Sequence, residues 1–439
     1  MAALNNAPSD FSRKTFNTFL LRLLTQVFSI ALGIIVARSF GPAGKGLYTY
    51  AVVVLAVITT LSGGMAASIS RQYGRLKRPS GVVYSGMIKF FFMATLPLAL
   101  GLGAFGYFSH QPSLIAAALA FPFAYFNQVS IAFSLAEGRV RFPNVQALIT
   151  SAALTAITGI LCFVLHLDVF VALAAWVGVT AAVSLYSLRN ISKYARDFST
   201  PQERSKVFGE QVKYGFRVTF NQLLAHLNFQ IDVFIVLYLL GHASLGMYSI
   251  AVGIGTMIWQ LSRPLAVTSY GAVTSGSPQQ AARVTTLCVR HALINVAVAS
   301  CVLAVAGPML IRIVYGPTFA PSGLALQLLL PGIVAYCTVP FFSQYFSLQL
   351  GKPGINTLVI GTSTAICGIF TYFMAPHWGI IAGAVGTSIS YMAALIIAAS
   401  IFCRESGVRF IELVAFSRRD MDQYQNLVRW VFSGAGVRQ

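Results

Sequence analysis

Residues 38–52 read RSFGPAGKGLYTYAV, and residues 238–252 read YLLGHASLGMYSIAV. A shift of 200 residues lays one on the other and matches Gly41 with Gly241, Ala43 with Ala243, Gly46 with Gly246 and Tyr48 with Tyr248. Each copy stands between two apolar runs, so each reads as a glycine-rich turn joining two helices. Repeated supersecondary units signal a chain built from duplicated halves. A weaker echo pairs Gly138 and Arg139 with Gly351 and Lys352, and His166 with His377.

Outward from these turns, apolar windows recur near residues 16–38, 47–69, 87–108, 114–135, 145–166 and 169–188. After a polar stretch from Arg189 to Lys213 they resume near 216–239, 246–268, 286–308, 322–348, 355–375 and 379–402. Each is long enough to cross about 30 Å of hydrocarbon at roughly 1.5 Å per residue. Of the 439 residues, 56% are hydrophobic and 9% charged, too few polar groups to cover a water-soluble surface. The 37 Gly and 17 Pro scattered through the runs suit packed membrane helices, not barrel strands. The expectation is an all-α integral membrane protein of about twelve transmembrane helices. Its boundaries are a six-helix half over 1–190, a basic linker over 191–215, a second half over 216–402 and a basic tail over 403–439. Six spans separate the two turns, and an even spacing makes the halves parallel repeats about an axis along the membrane normal.

The charge pattern gives orientation. Arg13 and Lys14 precede the first span; Arg71, Arg75, Lys77 and Arg78 follow the second; Arg139 and Arg141 the fourth; Arg189, Lys193, Arg196, Arg204 and Lys206 the sixth. Arg283, Lys352 and the tail residues Arg404, Arg409, Arg418, Arg419, Arg429 and Arg438 fall on the same side, against only Arg38, Lys45 and Arg312 on the other. Short cytoplasmic loops retain positive charge, so both termini are expected in the cytoplasm. The net charge of +19 is thereby explained by topology, without nucleic acid as a partner. The N-terminus lacks the order of a cleaved signal peptide, so the first span is expected to persist. The segment 418–432 reads as an amphipathic helix at the interface. The six cysteines lack C-x-x-C spacing, which indicates neither a disulfide framework nor a metal site, and no cofactor is implied.

The stretch GPAGKGLYTYA over 41–51, with the span number, short outer loops and half repeat, resembles the polysaccharide transporters and Wzx-type O-antigen flippases of the multidrug/oligosaccharidyl-lipid/polysaccharide (MOP) exporter superfamily. That resemblance implies a MATE-like fold of two six-helix lobes around a central cavity in the bacterial inner membrane. It also implies a substrate of undecaprenyl-pyrophosphate-linked oligosaccharide, with membrane lipids and a polysaccharide polymerase as neighbours. The peptidoglycan-precursor flippases of the superfamily carry two further helices; the span count here favours the polysaccharide branch.

Polar groups inside spans are costly and mark sites. In the seventh, Arg217, Asn221, Asn228 and Asp232 share one helical stripe, with Gln222 and His226 on the next. The stripe either lines a solvated cavity or zips to a neighbouring helix. Arg22 and Gln26 of the first span fall opposite Gln222 and His226 in the repeat, and the eighth supplies Thr256, Gln260 and Arg263. The substrate-binding candidates are therefore Arg22, Gln26, Arg217, Asn221, Gln222, His226, Asn228, Gln260 and Arg263. Arginine suits pyrophosphate because its planar fork donates paired hydrogen bonds; an arginine at this depth can equally snorkel to head groups. Asp232, the one carboxylate well inside a span, is the coupling or gating candidate, with a structural ion pair as the alternative. Asp168 reads as a helix N-cap, Tyr48 and Tyr248 as tight-turn and interfacial anchors with a sugar-stacking gate as the alternative, and Pro122, Pro331 and Pro340 as kinks.

A carrier is favoured over an enzyme. The short outer connections hold no acid or histidine cluster and no catalytic triad, and no phosphate-binding glycine-rich Lys motif follows. Within the resemblance, a lipid-linked oligosaccharide flippase competes with an ion-coupled multidrug exporter. Spans one to five hold no acid except Glu137 at a span end, which counts against the exporter. A non-transporting envelope scaffold is the third reading.

Overall fold

The computed structural model describes residues 7–195 and 200–415. Among them, ten helices are long and apolar enough to cross a membrane. Two of these contain a break. In Ala7–Ile69 the backbone leaves the helical region at Gly41 (φ 65°, ψ −168°), and in Pro201–Met257 at Gly241 (φ 77°, ψ −177°). The two glycines of the repeat thus share one left-handed conformation, which costs an L side chain energy and costs glycine little.

The breaks are reversals. Arg22 meets Asn144 and Phe28 meets Thr155, so helix α1 (7–40) runs parallel to α5 (Arg141–Phe163). Leu47 meets Ser113, and Met65 and Ile69 share a core with Val129 and Phe133, so α2 (42–69) runs parallel to α4 (Pro112–Ala136). A short turn at 137–140 joins α4 to α5 and makes them antiparallel, so the chain must reverse at Gly41 as well. The same logic holds at Gly241, since α7 (201–240) runs against α2 whereas α8 (242–257) runs with it. Counting each broken helix twice gives the twelve expected spans among the described residues. The remainder are α3 (80–108), α6 (Val169–Ser192), α9 (Pro278–Val314), α10 (321–349), α11 (Gly354–Trp378) and α12 (Ile380–Ser406). The chain is a multi-pass membrane protein.

The details amend several local expectations. The polar stretch after α6 is largely helical, because α6 continues to Ser192 and α7 starts at Pro201. Pro122 and Pro331 lie inside unbroken helix, whereas α10 breaks at Cys337 and Thr338 and Pro340 opens its next segment, Val339–Gln344. Asp168 occupies the N-cap of α6 without a capping bond from its side chain. Gly138 and Gly351 both adopt positive φ, so the weaker echo of the repeat is a shared turn conformation after α4 and α10. Cys162, Cys337 and Cys367 are buried, but Cys301 is exposed on α9. The amphipathic segment 418–432 lies outside the described residues.

Two compact units divide the chain. The first runs through Ile250 and adds Met309–Gly323 and Phe370–Gly383; the second holds Ala251–Pro308, Leu324–Ile369 and the chain from Ala384 onward. In lipid no hydrophobic force drives helices together, so close fit of small residues must do it. Accordingly α4, with Ala116, Ala117, Ala118 and Ala120 buried, has half of its most apolar window enclosed, against 11% for α3. Around it lie three apolar clusters, centred on Met65 and Tyr125, on Val36 and Trp176, and on Val54 and Phe121. The core of the second unit is aromatic: Tyr336 and Tyr391 have ring centroids 4.2 Å apart beside Trp259, whose indole donates to the Ile333 carbonyl at 3.0 Å.

Candidate functional site

Helix α7 carries most of the candidate residues, and α2 fixes its place. Gly64 and Gly215 touch: a Cβ on Gly64 would come within 2.0 Å of the Gly215 carbonyl oxygen. One turn on, Thr219 Oγ1 donates to the Leu61 carbonyl at 3.2 Å, and a Cβ on Gly63 would stand 2.7 Å from Gln222 Oε1. Farther along, Tyr50 meets Phe234 edge-on at 6.4 Å. Before this contact, Gln211 Nε2 donates to the Val83 carbonyl at 3.2 Å, and Glu210 accepts from Arg78 at 2.8 Å and from Gln72 at 3.3 Å. Glycine on α2 and polar side chains on α7 thus let the two backbones approach.

The α7 stripe is graded and not uniform. Arg217, Asn221 and Gln222 are exposed, His226 is half-buried, and Asn228 and Asp232 are buried at 2% and 4% exposure. Asn221 Nδ2 donates back to the Arg217 carbonyl at 3.2 Å. His226 Nε2 is enclosed and meets no partner among the described residues. Asp232 accepts the backbone N–H of Val233 at Oδ1, 2.8 Å away, and the hydroxyl of Tyr248 at Oδ2. The stripe therefore runs from exposed residues at Arg217 to buried, hydrogen-bonded ones at Asp232.

On α1, Arg22 is exposed and its Nε donates to Asn144 Oδ1 at 3.3 Å; Gln26 is half-buried one turn on. Asn144 in turn donates to the Val140 carbonyl at 2.8 Å, which sets the rotamer that receives Arg22. The first unit thus holds Arg22, Gln26, Arg217, Asn221, Gln222, His226, Asn228 and Asp232, while Gln260 and Arg263 are exposed residues of the second.

Two partners escaped sequence reading. Asn144 gives no signal beyond a polar residue near a span start. Tyr248 was legible in principle, because Asp232 and Tyr248 lie at nearly equal distances from the turn at Gly241 and must come level in a helical hairpin. Tyr48 and Tyr248 are not interfacial anchors: they are 6% and 0% exposed, enclosed because the turns they follow pack against helices.

The profile of the polysaccharide biosynthesis protein family matches residues 11–270, more than half of the chain. The chain belongs to this family. No curated protein sequence matches it significantly. Among solved structures, this member of the family is similar to the lipid II flippase MurJ in an inward closed conformation, with 12% identity over 90% of this chain and 88% of that one and a TM-score of 0.75. It is similar to an inward-facing multidrug resistance MATE transporter of the MOP superfamily, with 14% identity over 87% and 94% and a TM-score of 0.67. A MOP superfamily transporter from Pyrococcus furiosus matches with 15% identity over 89% and 94% and a TM-score of 0.61. The family member therefore has the MOP fold, as the resemblance implied.

Proposed function

We propose that the protein is a flippase that carries an undecaprenyl-pyrophosphate-linked oligosaccharide from the cytoplasmic to the periplasmic leaflet of a bacterial inner membrane by alternating access, in O-antigen or exopolysaccharide biosynthesis. The observation that supports it most is the family match of residues 11–270 on a chain whose fold is similar to that of a lipid II flippase. In this reading both termini lie in the cytoplasm, on the side of the basic loops.

A pyrophosphate leaving water needs compensating charge and hydrogen-bond donors. In this reading Arg22, held by Asn144, and the exposed Arg217, Asn221 and Gln222 meet the head group, with Gln26, His226 and Asn228 farther along the same unit; Gln260 and Arg263 are the substrate-binding candidates of the second unit. Asp232 is the coupling or gating group. A polysaccharide polymerase is the partner that would consume the product.

The likeness to MATE transporters favours a second reading, an ion-coupled multidrug exporter. Against it, the acids between residues 20 and 192 are Glu137 and Asp168, both at helix ends, so the first half offers an organic cation no carboxylate within the membrane.

The test is inward-to-outward movement of a fluorescent undecaprenyl-pyrophosphate glycan in proteoliposomes, comparing native protein with Arg22→Ala and Asp232→Asn. Flipping by native protein that falls at least tenfold in folded variants is the expected result. A well-folded native protein that moves drugs but no glycan would shift the reading to the exporter; one that moves neither would point to a scaffold.

A further inference from the structure

The two halves of the repeat differ at one buried pair. In the second half, Asp232 on α7 faces Tyr248 on α8, and the tyrosine hydroxyl donates to the carboxylate. The shift of 200 residues places Leu32 and Tyr48 at the corresponding sites of the first half. There the apolar Leu32 packs against the cluster that holds Tyr48, and the enclosed Tyr48 hydroxyl meets no partner among the described residues.

Tyr248 also lies between two residues of the joint where the repeats touch. Gly246 abuts Gly46, and Ser249 Oγ lies 3.4 Å from Thr49 Oγ1. At the joint itself the two glycines bring backbone against backbone, and the one side-chain pair at these positions, Thr49 with Ser249, is at the long limit of a hydrogen bond. The ring of Tyr248 has a fitted seat, since a Cβ on Gly383 of α12 would stand 3.0 Å from its Cζ. The hydroxyl bond to Asp232 is thus one of the contacts that hold this turn of α8, beside the seat of the ring and Ser322 Oγ, which donates to the Met247 carbonyl at 2.8 Å.

We propose that Tyr248 is a positioning residue that links Asp232 to the Gly46–Gly246 joint, so that a change at the carboxylate loosens or tightens the meeting of the two repeats. The linkage is one-sided, because Leu32 cannot accept the corresponding bond from Tyr48. It rests on the proposed coupling role of Asp232 and names the element through which that role reaches the rest of the chain.

The experiment pairs Thr49→Cys with Ser249→Cys and measures the rate of oxidative cross-linking in membranes without substrate, against the single variants as controls for the six native cysteines. Tyr248→Phe keeps the ring and loses the donor, and Asp232→Asn loses the charge. Tyr248→Phe is expected to slow cross-linking on the order of tenfold, the factor a charge-assisted hydrogen bond is worth; Asp232→Asn, whose amide oxygen still accepts the hydroxyl, slows it by less, and the two together no more than Tyr248→Phe alone. Tyr48→Phe is expected to leave the rate unchanged. Gly383→Ala, which displaces the ring from its seat, gives the same slowing by another route. Unchanged rates in both Tyr248→Phe and Gly383→Ala, or additive effects of Tyr248→Phe and Asp232→Asn, would overturn the proposal. Because cross-linking needs no substrate, a native protein that fails to flip glycan leaves this result readable. In a native protein that flips, a cross-linked joint is expected to stop transport until reduced, and continued flipping would also sink the link.

Discussion

Gly46 and Gly246 pack reciprocally: a Cβ on Gly46 would lie 1.8 Å from the carbonyl oxygen of His242, and a Cβ on Gly246 would lie 2.0 Å from that of Pro42. Each glycine thus faces the residue four places earlier in the other copy, which is the signature of a local two-fold axis between the repeats. Because the obstacle is backbone, it cannot rotate away. Gly46→Ala or Gly246→Ala is expected to cost about 1–3 kcal/mol, the usual range for overpacking, and to lower the thermal midpoint in detergent. Gly101→Ala, where nothing lies within 4 Å, is the control and should leave the midpoint unchanged.

Arg38 joins the end of α1 to the end of α9. Its Nε donates to the Val314 carbonyl at 2.7 Å and its second nitrogen to the Ile313 carbonyl at 2.5 Å, filling orphan acceptors of the last turn. Arg38→Ala should cost about 1 kcal/mol, given that the group is exposed, and should speed amide exchange at the end of α9. Arg38→Lys should recover only part of it, since an ammonium lacks the fork.

Glu137 ends α4 and gathers the neighbouring helix ends. Its Oε1 accepts the hydroxyls of Tyr73 at 3.1 Å and Tyr194 at 2.5 Å, and Oε2 faces Arg139 and, at 3.8 Å, Lys193. Tyr194 also stacks on Phe133, with ring centroids 4.4 Å apart. Glu137→Gln keeps the tyrosine bonds and loses the charge, whereas Glu137→Ala leaves the hydroxyls without an acceptor. The expected losses are under about 1 kcal/mol for Gln and about 2 kcal/mol for Ala, read as shifts in thermal unfolding.

Sidedness follows from the alternation of connections. Thr200→Cys and Asp168→Cys, both at exposed sites on opposite ends of the helices, are expected to react with an impermeant thiol reagent from the cytoplasmic and periplasmic sides respectively. Labelling in the opposite sense would invert the orientation assigned from the basic loops.

Sequence alone determined the helix number, the repeat and the turn positions, because lipid demands long apolar helices and a left-handed turn demands glycine at 41 and 241. It also marked Arg22, Arg217 and Asp232, since any charge among apolar residues stands out. The tertiary structure decided what each of these meets. Periodicity put Arg217 and Asp232 on one stripe, yet one is exposed and the other buried, because burial depends on which helices pack at each level of α7. Asn144 as the partner of Arg22 and Tyr248 as the partner of Asp232 are set by the angle and register at which separate helices meet, and those are fixed by small residues touching backbone, as at Gly46, Gly64 and Gly246. A glycine in the sequence reports freedom to approach; only the folded chain settles what approaches it.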